Sequence, residues 1–291
     1  MAFFDEEKNL VLLDLNNTLF RALAVNKELM HKGNMTGGLY GFTVMLSSII
    51  NFASPKNIIV CDDKKPYFRQ DIYAKYKKDR VTKDDAEGFF ETYKFNKDLV
   101  LELLSLMYIP VYQQQGYEAD DWIAYFAGRF NEKFDKTIIV SNDSDLLSLM
   151  KHKNVFIYKS ANKKAKTKAH LYGRKHFDED YYPVTPETFD LYTAMVGSHN
   201  GFPGISKIGE VTAKKILSDP QKLKEIKNLH SEHFIEAFKV LTLPYEGMSL
   251  DKPDKEILLK HKTQQVAVNR LLAKQGINVS NLMDQAFNFY R

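Results

Sequence analysis

Residues 57–63 read Asn-Ile-Ile-Val-Cys-Asp-Asp, a short apolar run that ends directly in two acidic residues. Similar short apolar runs occupy residues 10–15, 108–112, 137–141 and 155–159. Amphipathic, helix-like segments lie between them, at residues 41–52, 99–107 and 120–130. Strands that alternate with helices predict an α/β fold, with a mostly parallel central sheet, right-handed crossovers and helices on both faces.

The composition fits a folded protein without covalent cross-links. The chain has 291 residues, of which 44% are hydrophobic and 27% charged, which is enough for one large core or two small ones. Its net charge of +4 excludes a uniformly basic, histone-like protein. Cys61 is the only cysteine, so no intrachain disulfide and no thiolate metal cage can form. With no signal-like start and no apolar run of about 18 residues, we expect a cytoplasmic protein, in a host cytoplasm if a phage encodes it.

The chain divides into two regions by pattern. Residues 1–185 carry the alternation of strands and helices, and we predict that they form the α/β core. Residues 186–291 are mostly helical and are predicted to form a second region, which contains a glycine-rich stretch at residues 197–209. Residues 159–175 contain seven Lys or Arg and no acid, which indicates a basic hairpin or loop.

Acidic residues follow the carboxyl ends of the proposed strands. Asp14 ends the first strand, Asp62 and Asp63 follow the second, the segment Glu118-Ala-Asp120-Asp121 follows the third, and Asp143 and Asp145 follow the fourth. Ligands bind at this edge of an open parallel sheet, so these acids should converge on one crevice. Carboxylates so close would repel one another without cations, and oxygen ligands favour Mg²⁺ or Mn²⁺. Taken singly, Asp120 and Asp143 are equally well explained as helix N-caps, and Asp14 or Asp62 alone is better explained as a solvated loop residue.

A basic and aromatic segment follows the second acidic strand end. Residues 64–80 carry seven Lys or Arg, interleaved with Tyr67, Phe68, Tyr73 and Tyr76. Cations bind phosphates and aromatic rings stack on unpaired bases, so the mixture suits single-stranded nucleic acid. The alternative is a solvated amphipathic helix whose tyrosines pack inward.

A glycine hairpin, residues 197–209, precedes a helix that starts near Thr212. Its spacing Gly204-Ile-x-x-Ile-Gly209-x-x-Thr-Ala is typical of a helix-hairpin-helix, whose exposed amides bind phosphate without reading sequence. The alternative is a plain connection between two helices.

Together these motifs resemble the 5′-nuclease family, which comprises flap endonucleases, phage 5′ exonucleases and the 5′-nuclease domain of DNA polymerase I. The resemblance runs from about residue 10 to residue 217, with the motifs in family order. It rests on Asp14, Asn17 and Arg21; on the spacing of Asp62 and Arg69; on Tyr73-x-x-Tyr76-Lys77-x-x-Arg80; on Glu118-Ala-Asp120-Asp121; on Asp143-Ser-Asp145; and on the glycine hairpin.

The resemblance implies a structure-specific 5′-3′ exonuclease or flap endonuclease with two metal sites. Asp14, Asp62, Glu118 and Asp120 would serve the first site, and Asp121, Asp143 and Asp145 would lie near or serve the second. Lys77 and Arg80 would polarise the scissile phosphate, and Tyr76 would stack near it. Residues 67–96 would form an arch for the 5′ strand. DNA would be bound by Arg21, Arg69, Lys75, Gly204, Ile205, Lys207, Gly209, Lys214 and Lys215.

The same resemblance implies the partners. The substrate would be DNA with a 5′ flap, a nick or another single-strand/duplex junction, with an RNA–DNA hybrid as a further possibility. The glycine hairpin would hold a K⁺ ion against the duplex backbone. We expect a monomer that does not bind membranes.

One departure from the family pattern concerns the second metal. The family usually carries Gly-Asp-x-x-Asp just before the glycine hairpin, whereas this chain has Gly197-Ser198-His199-Asn200-Gly201, one residue shorter and without either acid. Because Ser, His and Asn do not supply the missing charge, we expect the second Mg²⁺ or Mn²⁺ site to be weak.

Two other functions fit parts of the sequence. Residues 11–19, Val-Leu-Leu-Asp-Leu-Asn-Asn-Thr-Leu, resemble the nucleophile loop of haloacid-dehalogenase-like phosphatases, although Asn16 stands where that loop has its second acid. A DNA-junction binding protein with weakened catalysis on the 5′-nuclease fold is the other alternative. Neither the basic aromatic segment nor the glycine hairpin is needed by such a phosphatase.

Overall fold

A computed structural model describes residues 8–77, 86–161, 166–198, 200–259 and 262–278. The strands within these residues are β1 (Asn9–Asp14), β2 (Met30–His31), β3 (Asn34–Met35), β4 (Asn57–Cys61), β5 (Val111–Tyr112), β6 (Lys136–Val140), β7 (Val155–Lys159) and β8 (His170–Tyr172). The helices there are α1 (Leu15–Val25), α2 (Gly37–Ala53), α3 (Phe68–Ile72), α4 (Ala86–Leu106), α5 (Ala119–Arg129), α6 (Arg174–Tyr181), α7 (Phe189–Val196), α8 (Glu210–Leu217), α9 (Pro220–Leu229), α10 (Ser231–Leu241), α11 (Asp254–Ile257) and α12 (Gln265–Lys274). Short 3₁₀ helices cover Ser144–Lys151 and Pro186–Thr188.

The main sheet has the strand order β5-β4-β1-β6-β7-β8. Neighbouring strands from β5 to β7 are parallel, and β8 alone in this sheet runs antiparallel, against β7. The pairing aligns Asp14 with Cys61 and Leu13 with Val140, so β1, β4 and β6 end at the same edge. The predicted mostly parallel sheet is confirmed.

Both faces of the sheet are covered by helices. Along β1, Leu10 and Leu12 point into a core formed with α5, α7 and α10, whereas Val11 and Leu13 point into a second core formed with α1, α2, α4 and α12. A strand that is buried on both faces needs a continuous apolar run rather than alternation, which is the pattern that β1 and β4 show. The predicted helical layers on both faces are therefore confirmed.

The structure differs from the sequence-based expectation at one edge of the sheet. The strand predicted over residues 108–112 is reduced to Val111–Tyr112, because Tyr108 adopts a left-handed φ of 54° and Pro110 has no N–H to donate. The helix predicted over residues 99–107 begins much earlier, at Ala86. The basic residues 159–175 belong to a hairpin, since β7 and β8 pair antiparallel.

The expected arch is described in two pieces. Residues 67–77 contain α3, and α4 begins at Ala86, while residues 78–85 lie outside the described part of the chain. The division of the chain at residues 185 and 186 stays a prediction. Within the described ranges, no helix combines the length and apolar character needed to cross a membrane.

Candidate active site

The ends of three parallel strands bring carboxylates to one edge of the sheet. Asp14 is the last residue of β1, Asp62 and Asp63 follow β4, and Asp143 follows β6 by way of Ser141. The side chains are fixed locally: Asn17 N–H donates to Asp14 Oδ1 at 3.0 Å, and the Ser141 hydroxyl donates to Asp14 Oδ2 at 2.9 Å. Asp14 thus caps α1 and also faces the end of β6.

The amino terminus of α5 brings two more carboxylates to this edge. Asp63 Oδ1 accepts the Ala119 N–H at 2.7 Å, which docks the first turn of α5 against the end of β4. Glu118 precedes the helix and Asp120 lies in its first turn. We call Asp14, Asp62, Asp63, Glu118, Asp120 and Asp143 the carboxylate cluster.

Burial and mutual repulsion make this cluster electrostatically strained. Burial, followed by repulsion from Asp63, raises the pKa of Asp14 from 3.8 to about 7. The pKa of Asp120 is raised well above its ordinary range by burial and by repulsion from Asp143 and Asp14. A nearby cation would therefore stabilise the charged forms of Asp14 and Asp120.

Three cationic side chains neutralise part of the cluster. Lys77 pairs with Glu118 Oε1, Arg69 donates to Glu118 Oε2 at 3.1 Å, and Lys97 Nζ lies 2.7 Å from Asp62 Oδ1. Burial opposes the charged form of Lys77, but Glu118, Asp63 and Asp120 outweigh it and raise the pKa of the lysine. Lys97 lies on α4 and was missed in the sequence. The helical spacing could have revealed it, because Lys97 lies three residues before the buried Val100 and therefore on the same, inward side of the helix.

Arg69 corrects one sequence-based assignment. We predicted that it binds DNA, but its side chain is only 2% exposed. The guanidinium donates to both oxygens of Asp121 at 2.7 Å and to the carbonyl oxygens of Val240 and Thr242 at 2.7 and 3.3 Å. All of these partners belong to the protein itself, and through them the guanidinium connects the start of α5 to the end of α10.

Asp121 is corrected for the same reason. Its oxygens are occupied by Arg69, by the Glu118 N–H at 3.0 Å and by the Tyr245 N–H at 2.8 Å. A fully buried carboxylate with these partners anchors the helix start and has no coordination position to offer a second metal.

Lys77 is held by its backbone as well as by Glu118. It has a left-handed φ of 55°, which is unusual for a residue with a side chain, and its N–H donates to the Asn200 carbonyl oxygen at 3.2 Å. Its ammonium lies 5.4 Å from the ring centroid of Tyr76. Tyr76 itself is 3% exposed, and its ring packs beside the Lys77 ammonium. Its stacking near the scissile phosphate stays a prediction. Arg80 lies outside the described residues.

Asp145 lies beside the cluster and faces the glycine hairpin. Its N–H donates to Asp143 Oδ1 at 3.0 Å, and Asn200 Nδ2 donates to Asp145 Oδ2 at 2.7 Å. Asn200 is nearly fully buried and contacts two predicted site residues. These are Asp145, expected near the second metal, and Lys77, expected at the scissile phosphate. His199 lies outside the described residues.

The donor set fits a hard divalent cation, although the side chains are not preassembled as ligands. Among the described residues, no three His, Cys, Asp or Glu side chains converge closely enough to chelate an ion directly. However, within the described ranges Asp62 Oδ2 is buried and accepts no hydrogen bond, and neither Asp14 nor Asp120 forms a salt bridge. Mg²⁺ commonly binds through retained waters, so this arrangement suits it without direct chelation by three carboxylates.

The glycine hairpin, residues 197–209, joins α7 to α8. Gly197 has a φ of 100°, and a side chain at Gly204 would meet the Val196 backbone at 2.4 Å, so both positions need glycine. Ile205 is buried, and its N–H donates to the Met195 carbonyl oxygen at 2.8 Å. Gly209 caps α8.

The cations predicted to bind DNA fall into two groups in the structure. Lys75, Lys207 and Lys215 are exposed. Lys214 instead donates to the Asp180 carbonyl oxygen at 3.3 Å and lies over the Tyr181 ring, and Arg21 donates to the Ser160 hydroxyl at 3.0 Å. The first group is free to meet a phosphate, whereas the second already has a protein partner.

Comparison with known proteins identifies this arrangement. Residues 9–182 match the family described as the 5′-3′ exonuclease N-terminal, resolvase-like domain. The chain belongs to the 5′-3′ exonuclease family. It is 30% identical over 299 residues to a 5′-3′ exonuclease of Aquifex aeolicus (strain VF5), covering 98% of this chain and 97% of that protein. It is 31% identical over 220 residues to the DNA polymerase I of Caldicellulosiruptor bescii, covering 75% of this chain but only 25% of the polymerase.

Solved structures share the fold at lower identity. The bacteriophage T5 5′-exonuclease with bound zinc gives a TM-score of 0.66 at 18% identity, covering 91% of this chain and 99% of that one. Flap endonuclease-1 from Methanococcus jannaschii gives 0.59 at 18% identity, covering 100% and 94%. The chain is accordingly a 5′-3′ exonuclease. The comparisons favour neither the phosphatase nor the non-catalytic binding protein.

Proposed function

We propose that this 5′-3′ exonuclease family member cuts DNA at 5′ single-strand/duplex junctions, including flaps and nicks, with Mg²⁺ or Mn²⁺ as its cation. The observation that carries the proposal is the convergence of the carboxylate cluster on Lys77 at the carboxyl edge of the sheet. Hydrolysis of a phosphodiester needs a polarised phosphate and an activated water, and a lysine beside hard-cation ligands supplies both requirements.

The first cation would be held by Asp14, Asp62, Glu118 and Asp120. When bound, a divalent cation there lowers the pKa of a coordinated water and screens the phosphate charge. Lys77 would bind a non-bridging phosphate oxygen, with its ammonium aimed by Glu118 and its backbone fixed by Asn200. The second site, near Asp143 and Asp145, would be weaker, because Asn200 brings an amide to Asp145 and no additional charge.

A path for the single strand is supported by aromatic rings beside the cluster, of which Phe20 and Phe89 are exposed. Phe20 stacks on Tyr93 with ring centroids 4.5 Å apart and on Phe89 at 5.7 Å. Phe20 and Tyr93 also line a pocket of about 280 Å³ whose wall includes Lys77 and Lys97. Rings for bases and ammonium groups for phosphates are the combination that binds unpaired DNA without sequence preference.

The duplex would lie against the glycine hairpin. The exposed Lys207 and Lys215, with the backbone amides near Gly209, suit phosphates of the duplex backbone. A K⁺ ion at this turn, cleavage of RNA–DNA hybrids, action as a monomer and a cytoplasmic location remain parts of this proposal.

A substrate panel tests the proposed specificity. The wild-type chain would be incubated with 5′-labelled flap, nicked, blunt and single-stranded DNA across series of Mg²⁺ and Mn²⁺ concentrations, and the products sized. We expect cleavage within a few nucleotides of the junction, faster for the flap than for single strands. Tight junction binding without products at any metal concentration would contradict the nuclease and would support the binding protein instead.

A further inference from the structure

Lys97 is a partly buried lysine of α4, the helix that begins within the expected arch, and not of the strand ends that carry Asp14 and Asp62. It lies on α4, and its Nζ is 2.7 Å from Asp62 Oδ1 and 3.3 Å from Asn16 Oδ1. The side chain also passes within 5.9 Å of the ring centroid of Tyr93, and 21% of it is exposed. It is thus held by Asp62 while its ammonium still reaches the pocket in front of the cluster.

Asp62 is the member of the cluster that Lys97 neutralises. Its carboxylate is fully buried, and Oδ1 accepts from both Lys97 and the Asp63 N–H at 2.9 Å. Among the described residues none donates a hydrogen bond to Oδ2, so this oxygen, opposite Lys97, is the one left to bind a divalent cation. A cation bound there would lie within a few ångströms of the ammonium, and the two positive charges would repel each other.

We propose that Lys97 is a tethered counter-ion that competes with the divalent cation for Asp62 and so lowers the affinity of the first metal site. In the metal-free protein, the ammonium offsets the cost of burying an unpaired carboxylate. When the metal binds, Lys97 gives up part of that interaction and its ammonium turns toward the pocket. Because Lys97 lies on α4, metal binding at the sheet edge is then coupled to the helix that leads into the arch.

The inference rests on the proposed metal site at Asp62, and the test separates the two. Metal binding to the 291-residue chain would be measured without DNA, as the shift in unfolding temperature across a Mn²⁺ or Mg²⁺ titration and by calorimetry. The variants are Lys97→Met, which removes the charge, and Lys97→Arg, which keeps it. Lys94→Met is the matched control, since Lys94 is exposed on the same helix and its loss changes the net charge equally.

We expect Lys97→Met to lower the cation concentration for half-saturation by about threefold or more, because the competing charge is gone. Lys97→Arg should stay near the wild-type value, and Lys94→Met should change it by much less. In an Asp62→Asn background, Lys97→Met should have no further effect. If Lys97→Met does not fold, Lys97→Gln provides the same neutral comparison.

Three outcomes would overturn the inference. Unchanged or weaker metal binding in Lys97→Met, with only a lower unfolding temperature, would make Lys97 a purely structural contact. An equal gain of metal affinity in Lys94→Met would show that the effect comes from the overall charge of the protein. Absence of any metal-induced shift in the wild type would refute the proposed metal site itself, and the inference with it.

Discussion

At the scale of the residue, the position of a charge in the interior decides what it does, as Arg69 shows. Removing its guanidinium in Arg69→Met would leave Asp121 and Glu118 buried with fewer partners, which costs about 3–5 kcal/mol when one member of a buried pair is lost. We therefore expect a large fall in the free energy of unfolding, measured by denaturant titration. Lys75→Ala, at an exposed position, should stay within about 0.5 kcal/mol of the wild type. A stable Arg69→Met protein with weakened DNA binding would restore Arg69 as a DNA contact.

Asp14 gives a prediction about pH in the absence of divalent cations. Its pKa in the folded protein is raised, mainly by burial, from 3.8 to about 7, so ionising it costs stability. That cost is absent below about pH 4, grows as the pH rises toward 7 and is complete above 7. With EDTA present, Asp14→Asn should therefore gain unfolding temperature relative to the wild type between pH 4.5 and pH 8, by about 3 °C or more. A difference between the two proteins that does not change with pH would contradict this electrostatic account.

Asn200 tests the expectation that the second metal site is weak. Its amide donates to Asp145 Oδ2, so Asn200→Asp would place two carboxylates in contact. Without divalent cations the variant should unfold at a lower temperature, and with them it should be stabilised more than the wild type, since an added carboxylate strengthens hard-cation binding. Asn142→Asp, exposed in the loop after β6, is the control. Identical metal titrations of Asn200→Asp and the wild type would show that the missing acid does not limit the site.

At the level of structural elements, we expect the glycine hairpin and α8 to contribute to duplex binding and the turn that carries Lys77 to contribute to cleavage. Lys215 is exposed on α8, so Lys215→Ala should weaken duplex binding and reduce the slope of log affinity against log salt by about 0.9. Lys214→Ala should change the slope less, because its ammonium already donates to the Asp180 carbonyl oxygen. Affinities measured by fluorescence anisotropy at several salt concentrations provide the slopes.

The contrast is Lys77→Ala, which should reduce the cleavage rate much more than duplex affinity, because Lys77 faces the carboxylate cluster. Equal losses of affinity and rate in Lys77→Ala and Lys215→Ala would contradict this division between the elements.

At the scale of the whole molecule, the parts of the fold set by local pattern could be predicted and the parts set by packing could not. β1 and β4 are continuous apolar runs that end in acid, so the sheet and the position of Asp14 and Asp62 follow from the sequence. The burial of Arg69 depends on carbonyl groups at Val240 and Thr242, some 170 residues away, which no local motif reveals. Lys97 was missed because an isolated lysine in a long amphipathic helix is normally solvated.

Single-turnover cleavage of a 5′-labelled flap tests whether the carboxylate cluster supports hydrolysis of the 5′ strand at a junction. The comparison is between wild type, Asp120→Asn and Asp251→Asn, in saturating Mg²⁺ and with flap binding measured in parallel. Asp120 lies within the cluster, whereas Asp251 is exposed and distant from it in sequence. We predict junction-proximal products from wild type and Asp251→Asn at equal rates, and a rate at least about 100-fold lower for Asp120→Asn with flap binding retained. Cleavage by Asp120→Asn at the wild-type rate would contradict the account.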